Sequence, residues 1–395
     1  MYALTKTQLL RDLHRAYLDA RRHKRKRAYL KEFERNLERN LCDLCDALWT
    51  RTYTPKPAVC FPISDPTKRE IIAAQFVDCI VNHLYFNYTH ELYERTFIHD
   101  SYSSIKGRGT HRGVSRAEHH MRSASQNYTR PCYVLQKDIR GFFIHINRRL
   151  VLRFAMESLA KMSSHRVKGK GSPVWEDVID MEFVKYLTES ICLHDPVKDC
   201  IVLGSGRQWE GLAASKSMRC GPHATHGLAL GNLNSQLLCN VLMNVFDQYV
   251  KRTLKCKHYG RSTDDFYIID TSPKRLRRIN RRVTAFLRNV LDLETNEGKT
   301  RLRDVRRGFK YLGAFIKPYR TYISAQTLRR LRVKLQERIR SGLSEERLRS
   351  SLNSFLGLLR HYRTFHIRLR LVVPLLQQGT LHGTFNDDYT VYCPG

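Results

Sequence analysis

The chain has 395 residues, with 69 Lys and Arg against 37 Asp and Glu, and a formal net charge of +32 at pH 7. Apolar residues make up 42% of it, which argues against intrinsic disorder, and the length suits two or three subdomains. The charge favours nucleic acid as a partner. No apolar run reaches the roughly 18 residues that a membrane-spanning helix needs, so we expect no membrane association.

The first half of the chain predicts helices interrupted by basic and proline-rich segments. Leucines and tyrosines recur at helical spacing through residues 1–50, on either side of the basic run RRHKRKR, residues 21–27. That run suits a solvated face or a phosphate-contacting arm. The four prolines of residues 53–66 predict an extended segment, and residues 104–113 predict a basic, glycine-rich loop.

The second half predicts strands and helices that surround several acidic residues. A strand, CYVLQKDI, ends near Asp138, and a glycine-rich turn, GLALGN, leads into a helix. Residues 160–220 show no clear period. HYGRSTDDFYIID, residues 258–270, predicts a hairpin, and two leucine-containing amphipathic helices follow towards the C-terminus.

Eleven cysteines are spread along the chain. Cys42 and Cys45 have the spacing of half a zinc site, but no second Cys/His pair has matching spacing. Leucines at helical spacing surround this pair, so we expect buried thiols on a helix. The sequence therefore predicts a reduced, intracellular protein without disulfides.

Three aspartates are candidates for one site. Asp264 and Asp265 are adjacent although like charges repel, and the turn-forming residues around them favour a hairpin tip. Asp138 ends a predicted strand. Three carboxylates brought together would be unstable unless divalent cations neutralised them, and Mg²⁺ prefers such oxygen ligands. Sequence spacing alone does not show that Asp138 meets the pair.

The order of the motifs resembles that of a known enzyme family. KDIRGFFIHI, GLALGNLNSQ, RSTDDF, LETNEGKT and GFKYLG resemble motifs A to E of reverse transcriptases, and two upstream segments resemble the fingers motifs of bacterial, group II intron-like enzymes. Leu230, Gly231, Ser235 and Gln236 match the motif B block of reverse transcriptases of diversity-generating retroelements. The resemblance covers about residues 50–365.

The resemblance implies an α/β (α+β) right-hand polymerase fold with fingers, palm and thumb. The palm would be a mixed or antiparallel sheet backed by helices. The implied divisions are a basic helical N-terminal extension at 1–52, fingers at 53–130, a palm at 131–318 with an insertion at about 155–225, and a helical thumb and C-terminal tail at 319–395.

The resemblance also implies the catalytic groups. Asp138, Asp264, Asp265 and the Ile139 carbonyl would bind two Mg²⁺ ions, for which Mn²⁺ can substitute. Lys299 matches a motif D lysine that donates a proton to the departing pyrophosphate. Lys299 would therefore act as a general acid.

Further matched positions would bind substrates. Lys68 and Arg69 match fingers residues that clamp the triphosphate, with Arg69 the preferred candidate. Phe143 occupies the family's steric-gate position, where a ring would collide with a ribose 2′-OH, and Phe142 fits a core residue better.

Motif B and the residues near the Asp pair carry the remaining expectations. Gly227 and Gly231 would let the backbone approach the nascent base pair, although a structural turn also explains them. Gln236 would contact a template base or sugar. Two positions depart from the family: Ser262 replaces an aromatic residue, and Ala229 replaces a proline.

By resemblance, the chain is expected to be an RNA-directed DNA polymerase that makes cDNA from a template-repeat RNA. It would be error-prone at template adenines, for targeted sequence diversification. The expected partners are template RNA, the cDNA/RNA duplex, dNTPs and a small, basic, oligomeric accessory protein, in the cytoplasm of a bacterial, phage or archaeal host. The alternatives are a retron or defence-associated reverse transcriptase, or a catalytically silent RNA-binding protein on a polymerase scaffold.

Overall fold

The protein is a mixed α/β structure in which helices cover both faces of a four-stranded sheet. A computed structural model describes residues 2–64, 68–169, 171–221, 224–342, 344–377 and 383–394. The predicted helices of the N-terminal region and the predicted strands around the aspartates are confirmed. The division into fingers, palm and thumb stays a prediction.

Helices make up most of the regular structure. They are α1 Lys6–Ala20, α2 Ala28–Arg35, α3 Leu37–Trp49, α4 Phe76–Glu94, α5 Thr110–Ala124, α6 Phe142–His145, α7 Arg148–Ser163, α8 Met181–Leu193, α9 Gly206–Trp209, α10 Leu233–Gln248, α11 Pro273–Leu291, α12 Ala325–Arg340, α13 Glu345–Leu359 and α14 Phe365–Gln377. A π-helical turn, Tyr249–Thr253, continues α10. Among the described residues, no helix is both long and apolar enough to cross a membrane.

The strands form small, mainly antiparallel sheets. They are β1 Val59–Ile63, β2 Arg69–Ala73, β3 Tyr133–Asp138, β4 Ile201–Val202, β5 His258–Ser262, β6 Asp265–Asp270, β7 Arg301–Asp304, β8 Phe309–Tyr311, β9 Ala314–Lys317, β10 Arg320–Ile323, β11 Gly383–Phe385 and β12 Tyr392–Pro394. The sheet orders are β2-β1-β4, β5-β6-β3-β7, β10-β9-β8 and β11-β12. Within these sheets, β1 and β4 are parallel.

The sheet β5-β6-β3-β7 is covered on both faces, because its strands bury consecutive residues. In β6, Phe266 and Ile268 belong to the large core that includes residues of α10 and α11, while Tyr267 and Ile269 pack with residues of α5. A strand buried on both faces is apolar along its whole length rather than at alternate positions. This explains the FYII run that follows the two aspartates.

The N-terminal helices pack on the body of the protein. Helix α1 contacts α3 and α4, and Thr5 caps its start by accepting a hydrogen bond from the Gln8 amide. The basic run at 21–27 connects α1 and α2. The eleven cysteines are free thiols. Cys45 is buried as expected, but Cys42 is exposed, because it lies on the outer face of α3.

The C-terminal helices confirm the predicted amphipathic pattern. Leu335 of α12 packs with a row of leucines on α13 in a separate small core. Beyond residue 366, where the sequence shows no motif, α14 is followed by the β11–β12 hairpin. Its Tyr392 is buried in the same core, and Asn353 of α13 donates a hydrogen bond to the Tyr392 carbonyl at 3.0 Å.

Candidate active site

Two strand ends bring the predicted aspartates together. In the antiparallel pair of β3 and β6, Asp138 lies directly opposite Asp265. Just beyond it, the Ile139 amide donates a hydrogen bond to the Asp264 carbonyl oxygen at 3.2 Å. Opposite residues on such strands have Cα atoms about 4.5–5.5 Å apart. The three carboxylates therefore lie together where the two inner strands, β3 and β6, meet the hairpin turn.

The Asp pair is also the tip of a hairpin, as its residue types predict. Ser262 pairs with Asp265, so Thr263 and Asp264 form a two-residue turn. Thr263 has φ 57°, a left-handed conformation that β-branched residues rarely adopt. The Arg261 Nη1 donates to the Thr263 carbonyl at 3.0 Å, and the Thr263 Oγ1 donates to the Ser103 Oγ at 2.8 Å. Strain of this kind is concentrated at functional sites.

A buried ion pair supports this turn and was missed by sequence reasoning. The side chains of Arg261 and Asp247 are 1% and 0% exposed, and two hydrogen bonds of 2.9 and 2.8 Å join them. The same guanidinium donates to the Asn240 Oδ1 and the Ser101 Oγ, both at 3.2 Å. Arg261 thereby ties β5 to α10 and to the loop before α5. The sequence signal for it was Arg261 itself, a charged residue within a strand of the predicted hairpin.

Residues 100–104 connect the hairpin to motif B. This segment lies beside β5, where the Tyr102 amide donates to the Arg261 carbonyl and the Arg261 amide donates to the Asp100 carbonyl, both at 2.9 Å. The Ser104 Oγ donates to the Gln236 Oε1 at 2.6 Å. The predicted template-contacting Gln236 is therefore held by the same loop that supports the Asp pair.

The segment LETNEGKT lies along the end of β3 and brings Lys299 to the aspartates. The Asn296 amide donates to the Asp138 carbonyl at 2.8 Å, and the Lys299 Nζ contacts both carboxylate oxygens of Asp138, at 2.9 and 3.0 Å. The buried Lys137 Nζ donates to the Glu297 Oε1 at 3.1 Å. Sequence reasoning identified Lys299 but missed Lys137, which anchors the same turn.

Burial and mutual repulsion raise the pKa values of the hairpin carboxyls. Burial, followed by the charge of Asp138, raises the pKa of Asp264 to about 6, although Lys299 and Arg69 oppose the shift. Burial, followed by the charges of Asp264 and Asp138, raises the pKa of Asp265 to about 8. The nearby cations therefore do not neutralise this cluster.

The chemistry of this cluster fits a hard divalent cation. Mg²⁺ binds one or two carboxylates and keeps several waters, so it does not need a closed protein cage. Across the residues that the structure describes, no three His, Cys, Asp or Glu side chains are already arranged around a metal position. Lys299 instead lies on the oxygens of Asp138 and supplies positive charge there. The oxygen donors of the cluster therefore fit Mg²⁺.

Lys68 and Arg69, the two residues predicted to clamp the triphosphate, have different surroundings. Arg69 begins β2, and its charge lowers the pKa of Asp264, which places the guanidinium within electrostatic range of the aspartates. The Lys68 Nζ donates to the carbonyl oxygen of Glu210 instead. Of the two, Arg69 is the one whose charge acts on the carboxylates.

The aromatic candidates lie against the loop before α10. Phe142 is 3% exposed and belongs to the large core, while Phe143 is half-buried. The Leu228 amide donates to the Phe143 carbonyl at 2.8 Å, and the Gly227 amide donates to the Ile146 carbonyl at 2.7 Å. The predicted steric gate and motif B therefore form one wall.

Both motif B glycines have backbone conformations that favour glycine. Gly227 has φ 94° and Gly231 has φ 117°. A Cβ on Gly227 would lie 2.4 Å from the Met218 Cε. Next to Gly231, the Leu230 carbonyl accepts a hydrogen bond from the Ile72 amide of β2 at 3.3 Å. The structural explanation of these glycines is thus sufficient, and it is compatible with a role in substrate approach.

No protein-family model matches the sequence, and no curated protein matches it. Similar solved structures are telomerases. The apo telomerase of Candida tropicalis is 12% identical, with a TM-score of 0.48, over 82% of this chain and 60% of its own. The telomerase of Candida albicans, solved with a TWJ fragment of telomeric RNA, is 10% identical, with a TM-score of 0.49, over 84% of this chain and 57% of its own. This chain thus spans less than two thirds of either telomerase.

Proposed function

We propose that the chain is an RNA-directed DNA polymerase. The observation that carries the proposal is the pairing of Asp138 with Asp265, beside Asp264, at the tip of a strained hairpin. Asp138, Asp264, Asp265 and the Ile139 carbonyl would hold two Mg²⁺ ions. Such ions, about 3.5–4 Å apart, activate an attacking hydroxyl and stabilise a leaving group. The raised pKa values of the hairpin carboxyls support a site that is completed by cations.

The other residues of the site would bind and orient the substrates. Arg69 would clamp the triphosphate through charge-assisted hydrogen bonds. The Lys299 ammonium, which contacts Asp138, would give a proton to the departing pyrophosphate. Phe143 would exclude the 2′-OH of ribonucleotides, and Gln236, held by Ser104, would contact the template strand.

The test is DNA synthesis on a primed RNA template with dNTPs and Mg²⁺. Asp264→Asn should reduce synthesis by about a thousandfold or more, because charge stabilisation at a reacting centre is worth several kcal/mol. RNA binding should stay close to that of the unchanged chain, since 69 basic residues remain. The matched control is Asp43→Asn, which removes the same charge from an exposed position on α3.

Two results would contradict the proposal. Full synthesis by the Asp264→Asn variant would remove the aspartates from catalysis. RNA binding without synthesis by the unchanged chain, with either Mg²⁺ or Mn²⁺, would support the catalytically silent scaffold. The contact of Lys299 with both oxygens of Asp138 would then be the resting structure of that scaffold.

We further propose that the enzyme belongs to a diversity-generating retroelement and copies template adenines unfaithfully. The sequence LGNLNSQ supports this, together with a motif B loop that has Gly227, Ala229 and Gly231 where a stiffer wall would discriminate better. Selectivity between correct and incorrect pairs depends on close fit and on groups left unpaired by the wrong base. A looser wall gives up part of that selectivity.

The test is to copy the native template RNA, with its small basic accessory protein present, and to sequence the cDNA. Substitutions concentrated opposite template adenines are expected. Errors distributed evenly over the four bases, or almost no errors, would retain the polymerase and exclude the retroelement assignment.

A further inference from the structure

A second basic surface lies at the far end of α10. A cleft of about 800 Å³ between α4, α7 and the C-terminal half of α10, here called the α7–α10 cleft, contains more basic than acidic side chains. Its ionisable lining residues are Arg95, Lys161, His165, Arg166, Arg252 and Glu157. Val241, Asn244, Val245 and Gln248 line the cleft, whereas Asn240 and Asp247 of the same helix contact Arg261 of β5. The cleft therefore lies on a different face of α10 from the one that contacts the β5–β6 hairpin.

Three guanidinium groups of the cleft are positioned by neutral partners. The Arg95 Nη1 donates to the Arg166 carbonyl at 2.7 Å, and its guanidinium lies over the ring of Trp175. The Arg166 Nη1 donates to the Ser172 carbonyl at 2.8 Å. The Arg252 Nε donates to the Gln248 Oε1 at 2.6 Å. These contacts hold the side chains in place, and within the part of the chain that the structure describes none of the three forms an ion pair with a carboxylate.

The carboxylate in the cleft does not change this balance. Glu157 lies 3.7 Å from the Arg153 Nε one turn earlier on α7, and both side chains are more than half exposed. Arg116, by contrast, is paired directly with Asp100 at 2.7 Å. The α7–α10 cleft thus combines cations that neutral groups hold in place with a net positive charge, which favours the binding of an anion.

The shape and chemistry of the cleft suit a nucleic acid backbone. Planar guanidinium groups bind phosphate through paired hydrogen bonds. The apolar floor of the cleft is formed by Phe154, Met162 and Val241, which are buried, and by Val245, which is partly exposed. A volume of this size admits a stretch of chain rather than a single ion. The net charge of +32 favours a polyanion over an acidic protein segment.

We propose that the α7–α10 cleft binds the phosphodiester backbone of a folded part of the template RNA, outside the primer–template duplex. This rests on the proposed function, because it assigns a second contact for the same RNA. Such a contact retains the template during synthesis and selects a folded RNA over a short one. It makes no contribution to the chemical step.

The test compares two variants of the full chain that carry the same change in charge. The cleft variant is Lys161→Glu with Arg252→Glu, and the control is Arg277→Glu with Arg281→Glu on the exposed face of α11. Each is measured for affinity to a long, folded template RNA across a salt series. Each is also measured for DNA synthesis on a short primed homopolymer.

The cleft variant should bind folded RNA about tenfold or more weakly than the control variant, and its salt slope should fall by about 1.4–1.8 if two phosphate contacts are lost. Synthesis on the short template should match the control. Equal RNA affinity of the two variants would overturn the proposal and leave an acidic protein as the candidate partner. A loss of short-template synthesis would place the cleft in the catalytic machinery and equally overturn it.

Failure of the two proposals is distinguishable. If the unchanged chain makes no DNA on any template, the proposed function fails, while the affinities for folded RNA still decide the role of the cleft. If the glutamate variant does not fold, as judged by circular dichroism, Lys161→Gln with Arg252→Gln removes the same charges without reversal. Ultraviolet crosslinks from bound RNA to peptides 153–166 and 241–253 provide an independent positive result.

Discussion

Aspartates beneath and at the tip of the β5–β6 hairpin have opposite electrostatic surroundings. Beneath the hairpin, Asp247 of α10 is fully buried and joined to Arg261 of β5 by two hydrogen bonds. At the tip, Asp264 and Asp265 are partly buried beside Asp138, and their pKa values rise instead. The fold therefore provides a guanidinium for Asp247, which supports the structure. For Asp264 and Asp265 it provides no such partner, and we expect a bound cation to supply the positive charge.

The largest effect on stability is expected at the ion pair beneath the hairpin. Arg261→Met leaves the Asp247 carboxylate buried without its guanidinium, although the Tyr259 hydroxyl still donates to it, and should lower the free energy of unfolding by about 3–5 kcal/mol. Urea unfolding measures this change. Polymerisation should fall with it, because Arg261 also holds the carbonyl of the strained Thr263.

The matched variants separate charge compensation from packing. Arg261→Met with Asp247→Leu removes both charges and should recover much of the stability, since apolar replacements of buried ion pairs are often tolerated. Synthesis should stay low, because the turn has still lost its support.

At the tip, Asp265→Asn should keep or raise stability while it abolishes synthesis. Equal destabilisation by Asp265→Asn and Arg261→Met would refute the contrast.

The tip should also make stability depend on pH and Mg²⁺. The pKa of Asp265 is about 8 in the folded protein and 3.8 ordinarily. Because the folded value is the higher one, the contribution of this group is complete below about pH 4 and is lost as the pH rises through about 8. In EDTA, the free energy of unfolding of the unchanged chain should therefore fall more between pH 5.5 and 8.5 than that of the Asp265→Asn variant.

Mg²⁺ should reverse this loss at pH 8.5 and have little effect at pH 5.5, where protons compete for the same oxygens. Urea unfolding with and without the ion provides the measurement. A pH dependence identical to that of Asp265→Asn, or equal stabilisation of both proteins by Mg²⁺, would show that the tip carries no uncompensated charge.

Phe142 and Phe143 extend the contrast to apolar side chains of one short helix. Phe142 is buried in the core, whereas Phe143 is half-buried beside the candidate site. Phe143→Ala should lower the preference for dNTPs over rNTPs by about tenfold or more, because it removes the clash with the 2′-OH. Phe142→Ala should instead destabilise the fold by about 3–5 kcal/mol. Single-nucleotide incorporation kinetics distinguish them, and an unchanged preference in Phe143→Ala would move the gate elsewhere.

The smallest effect is expected at Ser262, which lies between Arg261 and the turn. It pairs with Asp265 at the end of β5, at the position where the motifs that this sequence resembles have an aromatic residue. Ser262→Tyr should increase primer extension modestly by seating the primer end, and Ser262→Ala is the control. No change in rate or fidelity would mean that a neighbouring residue already holds the primer end.

The sequence by itself determined the elements and the candidate groups. Local periodicity and turn-forming residues gave the strand before Asp138, the hairpin at Asp264 and the amphipathic C-terminal helices, because these depend on neighbours in the chain. The order of the motifs gave Lys299, Arg69 and Phe143. What these residues contact could not be inferred, since their partners are far away in sequence.

Only the tertiary structure decided which charges meet. The register of β3 with β6 places Asp138 opposite Asp265, and the packing of α10 beneath the hairpin provides Asp247 for Arg261. Both depend on long-range pairing that no local pattern encodes. The same holds for the α7–α10 cleft, whose basic residues come from three separate helical regions. Electrostatic energy depends on distance and on burial, and both are properties of the folded chain.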